Sequence, residues 1–157
     1  MRNKFLSFFI FLLISKLFFF NANGIEQFNF DISEIEILEN GNIIKGVKKG
    51  TVNTNDGIVI TADTFIFNKL LNILSAEGNV EIKDSSKSLE IYSDNIIYDK
   101  NKEFINTSKN SKAVYEKGKF LIADSLELDR NKNILNAYGS VQIKDTINDY
   151  LITGDDF

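Results

Sequence analysis

One stretch of this chain occurs twice, and that self-similarity limits the fold more than any other feature. Ile60 to Asp84 aligns with Leu121 to Asp145 at a constant offset of 61 residues and without a gap. Ala62/Ala123, Asp63/Asp124, Asn72/Asn133, Ile73/Ile134, Leu74/Leu135, Ala76/Ala137, Gly78/Gly139, Val80/Val141 and the closing Ile-Lys-Asp are identical. A weaker copy, Leu89 to Asn106, lies between them, and a further start appears at Tyr150 to Phe157. Aspartates at 63, 94, 124 and 155 register all four, so the unit is 30 to 31 residues long. A unit of this size cannot bury an apolar face by itself; successive units must stack to do so.

Each unit reads as strands. Ile58, Ile60 and Ala62 alternate with Val59, Thr61 and Asp63, and beyond the aspartate Phe65 and Phe67 alternate with Thr64, Ile66 and Asn68, the period of a half-buried strand. Polar runs at 68–72, 99–102 and 129–133 read as turns, and Gly78 and Gly139 as a second break needing positive φ or a bulge. The same register places Leu74, Ala76, Val80 and Ile82 on one face. Leu89, Ile91, Ile96 and Tyr98 follow in the middle unit, and Leu121, Leu126, Leu128, Leu135, Ala137, Val141 and Ile143 in the later one. The absence of proline and the abundance of Ile, Val, Phe, Tyr and Thr agree with strands rather than helices. The expectation is an all-β, solenoid-like sheet sandwich of stacked units, whose open end strands invite addition of another chain.

These inward side chains are the candidate binding face. Burying alkyl chains yields about 0.8 kcal/mol per methylene, so such a face can hold a fatty ligand without specific polar contacts. From the residues alone, the same side chains serve equally well as a closed core.

Catalytic chemistry has little to work with. Histidine and cysteine are absent, which removes the common near-neutral base, the thiolate and the usual zinc sets. No Gly-x-Ser-x-Gly elbow and no phosphate-binding glycine loop occurs. The aspartates at 63, 94, 124 and 155 are too regularly spaced for a carboxylate pair in one cleft and lack the nine-residue glycine-rich setting of calcium β-rolls. They read as turn caps. Lys45, Lys48 and Lys49 form a small basic cluster that reads as a solvated turn. No catalytic residue, cofactor or metal is expected.

The first 24 residues read as a secretory signal, with Arg2 and Lys4 ahead of an apolar run from Phe5 to Ile14 and a small-x-small site at Ala22-Asn23-Gly24. Residues 25–157 would form the mature domain. Removing the signal leaves 15 basic against 22 acidic residues, a net charge of −7, which offers no footprint for a nucleic-acid backbone. The last copy stops within its second strand, so a longer protein truncated at the C-terminus is expected.

The pattern Ile-x-Ala-Asp-x-Phe-x-Phe-Asn at 60–68, followed by Asn-Ile-Leu-x-Ala-x-Gly-Asn-Val-x-Ile-x-Asp at 72–84 and Ala-Tyr-Gly-Ser-Val at 137–141, resembles the OstA repeat of lipopolysaccharide-transport proteins. That family includes the periplasmic bridge LptA and the N-terminal domain of the outer-membrane assembly protein LptD, and the likeness covers Phe28 to Phe157. It implies an OstA-type β-jellyroll, a twisted V of two antiparallel sheets holding the acyl chains of lipopolysaccharide, non-catalytic and periplasmic. It also implies end-to-end strand addition to other jellyroll domains of the transport system. Within the family, the opening stretch from Phe28 to Gly46 and the abrupt end are most like LptD, whose domain continues into an outer-membrane barrel. The rival from another class is a structural β-solenoid of an exported adhesin or polysaccharide-binding protein, which predicts closed coils.

Overall fold

The computed structural model describes residues 28–157; the expected secretory signal lies outside the described residues. The described chain is almost wholly β-structure, with one short 3-10 turn at Glu39–Gly41. Its strands are β1 (Phe28–Ile32), β2 (Ile35–Leu38), β3 (Ile43–Gly46), β4 (Gly50–Thr54), β5 (Ile58–Ala62), β6 (Thr64–Asn68), β7 (Ile73–Asp84), β8 (Leu89–Asp99), β9 (Phe104–Ser108), β10 (Ser111–Glu116), β11 (Lys119–Ala123), β12 (Ser125–Asp129), β13 (Ile134–Asp145) and β14 (Tyr150–Asp156).

Every pairing among the described residues is antiparallel. β7, β8 and β13 are long and each serves two layers. The first layer runs β1-β4-β5-β7-β8-β10-β11-β13-β14. The second runs β2-β3-β6-β7-β8-β9-β12-β13. The parallel coils of a β-helix are thereby excluded for this region, and the jellyroll of stacked antiparallel units is what forms.

The line where the layers meet is the spine, and the repeat residues build it. β7 changes register between Glu77 and Val80, and β13 between Tyr138 and Val141. Gly78 has φ +78° there and Gly139 φ +72°, a region that glycine enters without strain. Room matters as well as backbone freedom: a Cβ on Gly78 would stand 2.5 Å from Asp63 Oδ2, and one on Gly139 would meet Asp124 in the same way. Asp63 N–H donates to the Gly78 carbonyl and Asp124 N–H to that of Gly139, both at 2.9 Å.

Asp63 and Asp94 therefore do not cap local turns, which is what the sequence led us to expect of them. Asp63 Oδ2 accepts from Asn79 Nδ2 on the adjacent strand at 2.7 Å, and Asp94 Oδ2 accepts from Asn110 Nδ2 at the same distance. They clamp the bulge of a neighbour distant in sequence, which local spacing does not reveal. In the middle unit the left-handed pair Lys109 and Asn110 takes the place of the glycine. There the strand breaks into β9 and β10, and the buried hydroxyls of Thr107 and Ser111 bond each other at 2.6 Å.

Candidate ligand-binding face between the layers

Cross-strand register turns the alternating pattern into continuous rows. In the first layer Phe30, Val52, Ile60, Ile82, Ile91, Ala113, Leu121, Ile143 and Ile152 stand side by side across nine strands. In the second, the row is Ile37, Ile44, Phe67, Leu74, Tyr98, Ile105, Leu128 and Leu135. Apart from the Tyr98 hydroxyl, each member is apolar from one edge of its sheet to the other.

The residues selected from sequence all turn inward. Ile58, Ile60, Ala62, Phe65, Phe67, Leu74, Ala76, Val80, Ile82, Leu89, Ile91, Ile96, Tyr98, Leu121, Leu126, Leu128, Ala137 and Val141 lie in one buried cluster, with Leu135 and Ile143 half-buried against it. Phe28, Val52, Ile105 and Ala113 belong to the same cluster and were not selected; their strands fall outside the clear repeat copies. Burial is not uniform along the stack. It is complete around Leu74 and Ile82 and lapses at the ends, where Ile37 is 69 % and Ile152 46 % exposed.

Opposite the spine, the free rims of the two layers are joined in two ways. Phe28, on the rim of the first layer, stands edge-on to Phe67 at 4.9 Å and to Tyr98 at 5.7 Å on the second. Beside it lies a polar clasp. Arg130, immediately after β12, reaches across with Nε to Asp84 Oδ2 at 2.9 Å and Nη1 to Asp56 Oδ2 at 2.5 Å, both on the first layer's rim. On its own layer it pairs with Glu103. Lys100 also bridges, donating to Asp56 Oδ1 at 2.9 Å and to Glu103 Oε1 at 2.5 Å. A third crossing joins Lys87 Nζ to Asn133 Oδ1.

The Tyr98 hydroxyl completes the clasp, donating to Glu103 Oε2 at 2.7 Å and accepting from Lys100 and Arg130 at 3.1 and 3.2 Å. Burial and the bond to Glu103 push its pKa above the tyrosine range, so it stays a donor. Burial alone would raise the Asp56 carboxyl, but hydrogen bonds from Thr54, Arg130 and Lys100 outweigh it and hold the group well below the usual carboxylate range. Among the described residues no acidic cluster is arranged to hold a metal ion.

Sequence reasoning missed this clasp. The available signal was modest: Arg130 is the one arginine after Arg2, in a chain whose other bases are lysines, and it stands where the first copy has Lys69. Buried ion pairs favour the planar guanidinium over an ammonium. Of the cluster that was noticed, Lys48 and Lys49 lie in the exposed turn after β3, where Lys48 bridges to Glu34 at 2.7 Å, whereas Lys45 stands on β3 itself and bridges across the strand pair to Glu36 at 3.4 Å.

With the two-layered jellyroll and its repeat-built spine in view, comparison with known proteins is direct. The sequence matches the family described as OstA-like protein over residues 24–135. The chain belongs to the OstA-like family. Its fold is similar to that of LptH, described as the LptA-homologous periplasmic component of the conserved lipopolysaccharide transport device of Pseudomonas aeruginosa. The TM-score is 0.62 at 16 % identity, over 71 % of this chain and 81 % of that one. No curated protein matches the sequence. The OstA/LptA family is a non-enzymatic lipopolysaccharide-transport family.

Proposed function

We propose that this OstA-like chain carries lipopolysaccharide across the periplasm towards the outer membrane, with the acyl chains held between its layers and no chemistry performed on them. The observation that carries this reading is the continuity of the apolar rows. A self-contained sandwich would end its inward rows on polar side chains at the edge strands. Here they reach β2 and β14 still apolar, with Ile35, Ile37 and Ile152 all more than 40 % exposed. An apolar surface that emerges at both ends of a stack is suited to continuation by another domain. Strand addition at β1 and β2 on one side, or at β14 on the other, would extend each row and the trough with it, in the head-to-tail manner of an open assembly.

Along most of their length the layers touch, so acyl chains enter only when the rims part about the spine. The gain of about 0.8 kcal/mol per methylene is large enough for a multi-chain lipid to offset the interlayer contacts it replaces. The member of the family that fits best is an LptD-type domain, on the likeness of the Phe28 to Gly46 stretch. Placing a photo-crosslinking residue at Phe67 or Leu128 tests the reading. Adducts with lipopolysaccharide are expected at both positions and not at the outward Glu127. Adducts confined to the protein itself, with lipopolysaccharide present in excess, would show a permanently closed core.

A further inference from the structure

We infer that the clasp at the rim is a latch whose cations become the headgroup site of the bound amphiphile: Arg130 and Lys100 are held by Asp56 and Asp84 while the layers are closed, and a phosphomonoester replaces those carboxylates when they part. This rests on the reading that acyl chains enter between the layers, and adds what happens to their polar end.

The charges are unequally divided between the rims. Asp56 and Asp84 belong to the first layer, whereas Arg130, Lys100 and Glu103 belong to the second. Closed, the cluster balances to a single excess negative charge. Parting the layers removes both aspartates from one side and leaves two cations with one carboxylate, a net positive rim carrying the Tyr98 hydroxyl as a further donor. In the closed clasp the Arg130 and Asp84 side chains are only 7 % and 2 % exposed, so parting the layers breaks a buried ion pair, which is costly. An anion arriving with the acyl chains supplies a counter-charge in place of the aspartates.

Charge favours a phosphomonoester over other anions: parting the layers withdraws the two negative charges of Asp56 and Asp84, and a dianionic monoester restores both where a diester restores one. Asp84 accepts from Nε and Asp56 from Nη1 of the same guanidinium, and Asp56 also takes Lys100, so the donors released are those that the oxygens of a phosphate can accept from. Guanidinium forks suit such multidentate oxygen sets, and charge-assisted bonds of this kind are the strong ones. The site also lies in the right place. Tyr98 and Phe67 are neighbours of the clasp in the inward row of the second layer, so a chain lying along that row would present its head at Arg130.

The repeat points the same way. The clasp occurs once, because its members break the repeat: Lys117 stands at the counterpart of Asp56 and Lys69 at that of Arg130. Asp145, the counterpart of Asp84, spends both oxygens on its own turn at Ile147 and Asn148. A purely structural rim closure would be free to recur with the unit, as the spine clamp does.

The test compares three twelve-carbon amphiphiles below their micelle concentrations by calorimetry: dodecyl phosphate, a monoester; dodecylphosphocholine, a diester; and uncharged dodecyl maltoside. The full chain is expected to bind dodecyl phosphate about tenfold more tightly than the other two, which is about 1.4 kcal/mol. The double variant Arg130→Gln with Asp84→Asn leaves no unpaired buried charge between those two positions. It should bind the three within a factor of two of one another, with dodecyl maltoside no weaker than before. Lys100→Gln should lose part of the preference. Equal binding of all three by the natural sequence, or a preference that survives both variants, overturns the headgroup site and leaves the trough intact. A preference shared by the diester would make the site one for phospholipid-type phosphates and would equally overturn the monoester assignment. Failure of every probe to bind any form overturns the trough itself, and the latch with it.

Discussion

The two copies of the repeat share their residues but not their surroundings. Leu74 and Leu135 occupy equivalent places in β7 and β13, as do Ile82 and Ile143, yet the first of each pair is fully buried and the second only half so. The spine beneath them is the same in both: a left-handed glycine, a register shift, and an aspartate clamped over it. What differs is the opposite rim. The first copy lies under the Arg130 clasp and the Phe28 contacts, whereas β13 pairs with β14, whose residues are almost all exposed. Repetition thus fixes the hinge line, and departures from repetition decide where the sandwich is shut.

Removing the clasp should break the difference most strongly. Arg130→Gln leaves Asp84 buried without its partner, and loss of one member of a buried ion pair costs about 3–5 kcal/mol; urea denaturation should show this as a lower midpoint. The trough side chains should show the asymmetry directly. Leu74→Ala is expected to cost about 3 kcal/mol, within the usual range for a buried leucine. Leu135→Ala should cost about 1 kcal/mol, because a half-exposed side chain loses less burial. Equal losses would mean that the copies are packed alike in solution.

The spine gives the control in the other direction. Gly78→Ala and Gly139→Ala each force a side chain into a left-handed backbone against the clamping aspartate, at about 1–3 kcal/mol, and the two losses should match within error. A large difference would show that the rim, not the local bulge, sets the stability of each copy.

The smallest effect is on acid stability. Asp56 is held below the usual carboxylate range, so its contribution is fully present above the unfolded value of about 3.9 and is lost as pH falls below that towards the folded value. Between pH 7 and 5 it should change nothing. Asp56→Asn should flatten the acid limb below pH 4 in a plot of unfolding midpoint against pH and leave the neutral region's slope as it was.

Most of the fold was legible because its determinants are periodic. Period two gave the strands, and the offset of 61 gave the stack. Gly78 and Gly139 marked the breaks, since backbone at positive φ leaves a composition signal. The inward face was legible for the same reason, and Ile58 to Ile143 fall on it as the alternation requires. Two things were not. The aspartate clamps join residues that are distant in sequence, such as Asp63 and Asn79, so a single strand suggests only a local cap. The clasp joins Arg130 to Asp56 over a separation of 74 residues and belongs to no motif. Alternation shows which way a side chain points, but not whether the facing layer lies against it or stands apart.

That last distinction is the central claim, and distance measurement between the rims tests it most directly. The chain has no cysteine, so Ser88→Cys on the first layer's rim and Lys132→Cys on the second's would carry the only two spin labels, both at exposed positions. On adding lipopolysaccharide, the pulsed-resonance distance distribution should shift to longer values, and return when the lipid is removed. An unchanged distribution under conditions where the lipid is bound would contradict the account, because acyl chains would then be held somewhere other than between the layers.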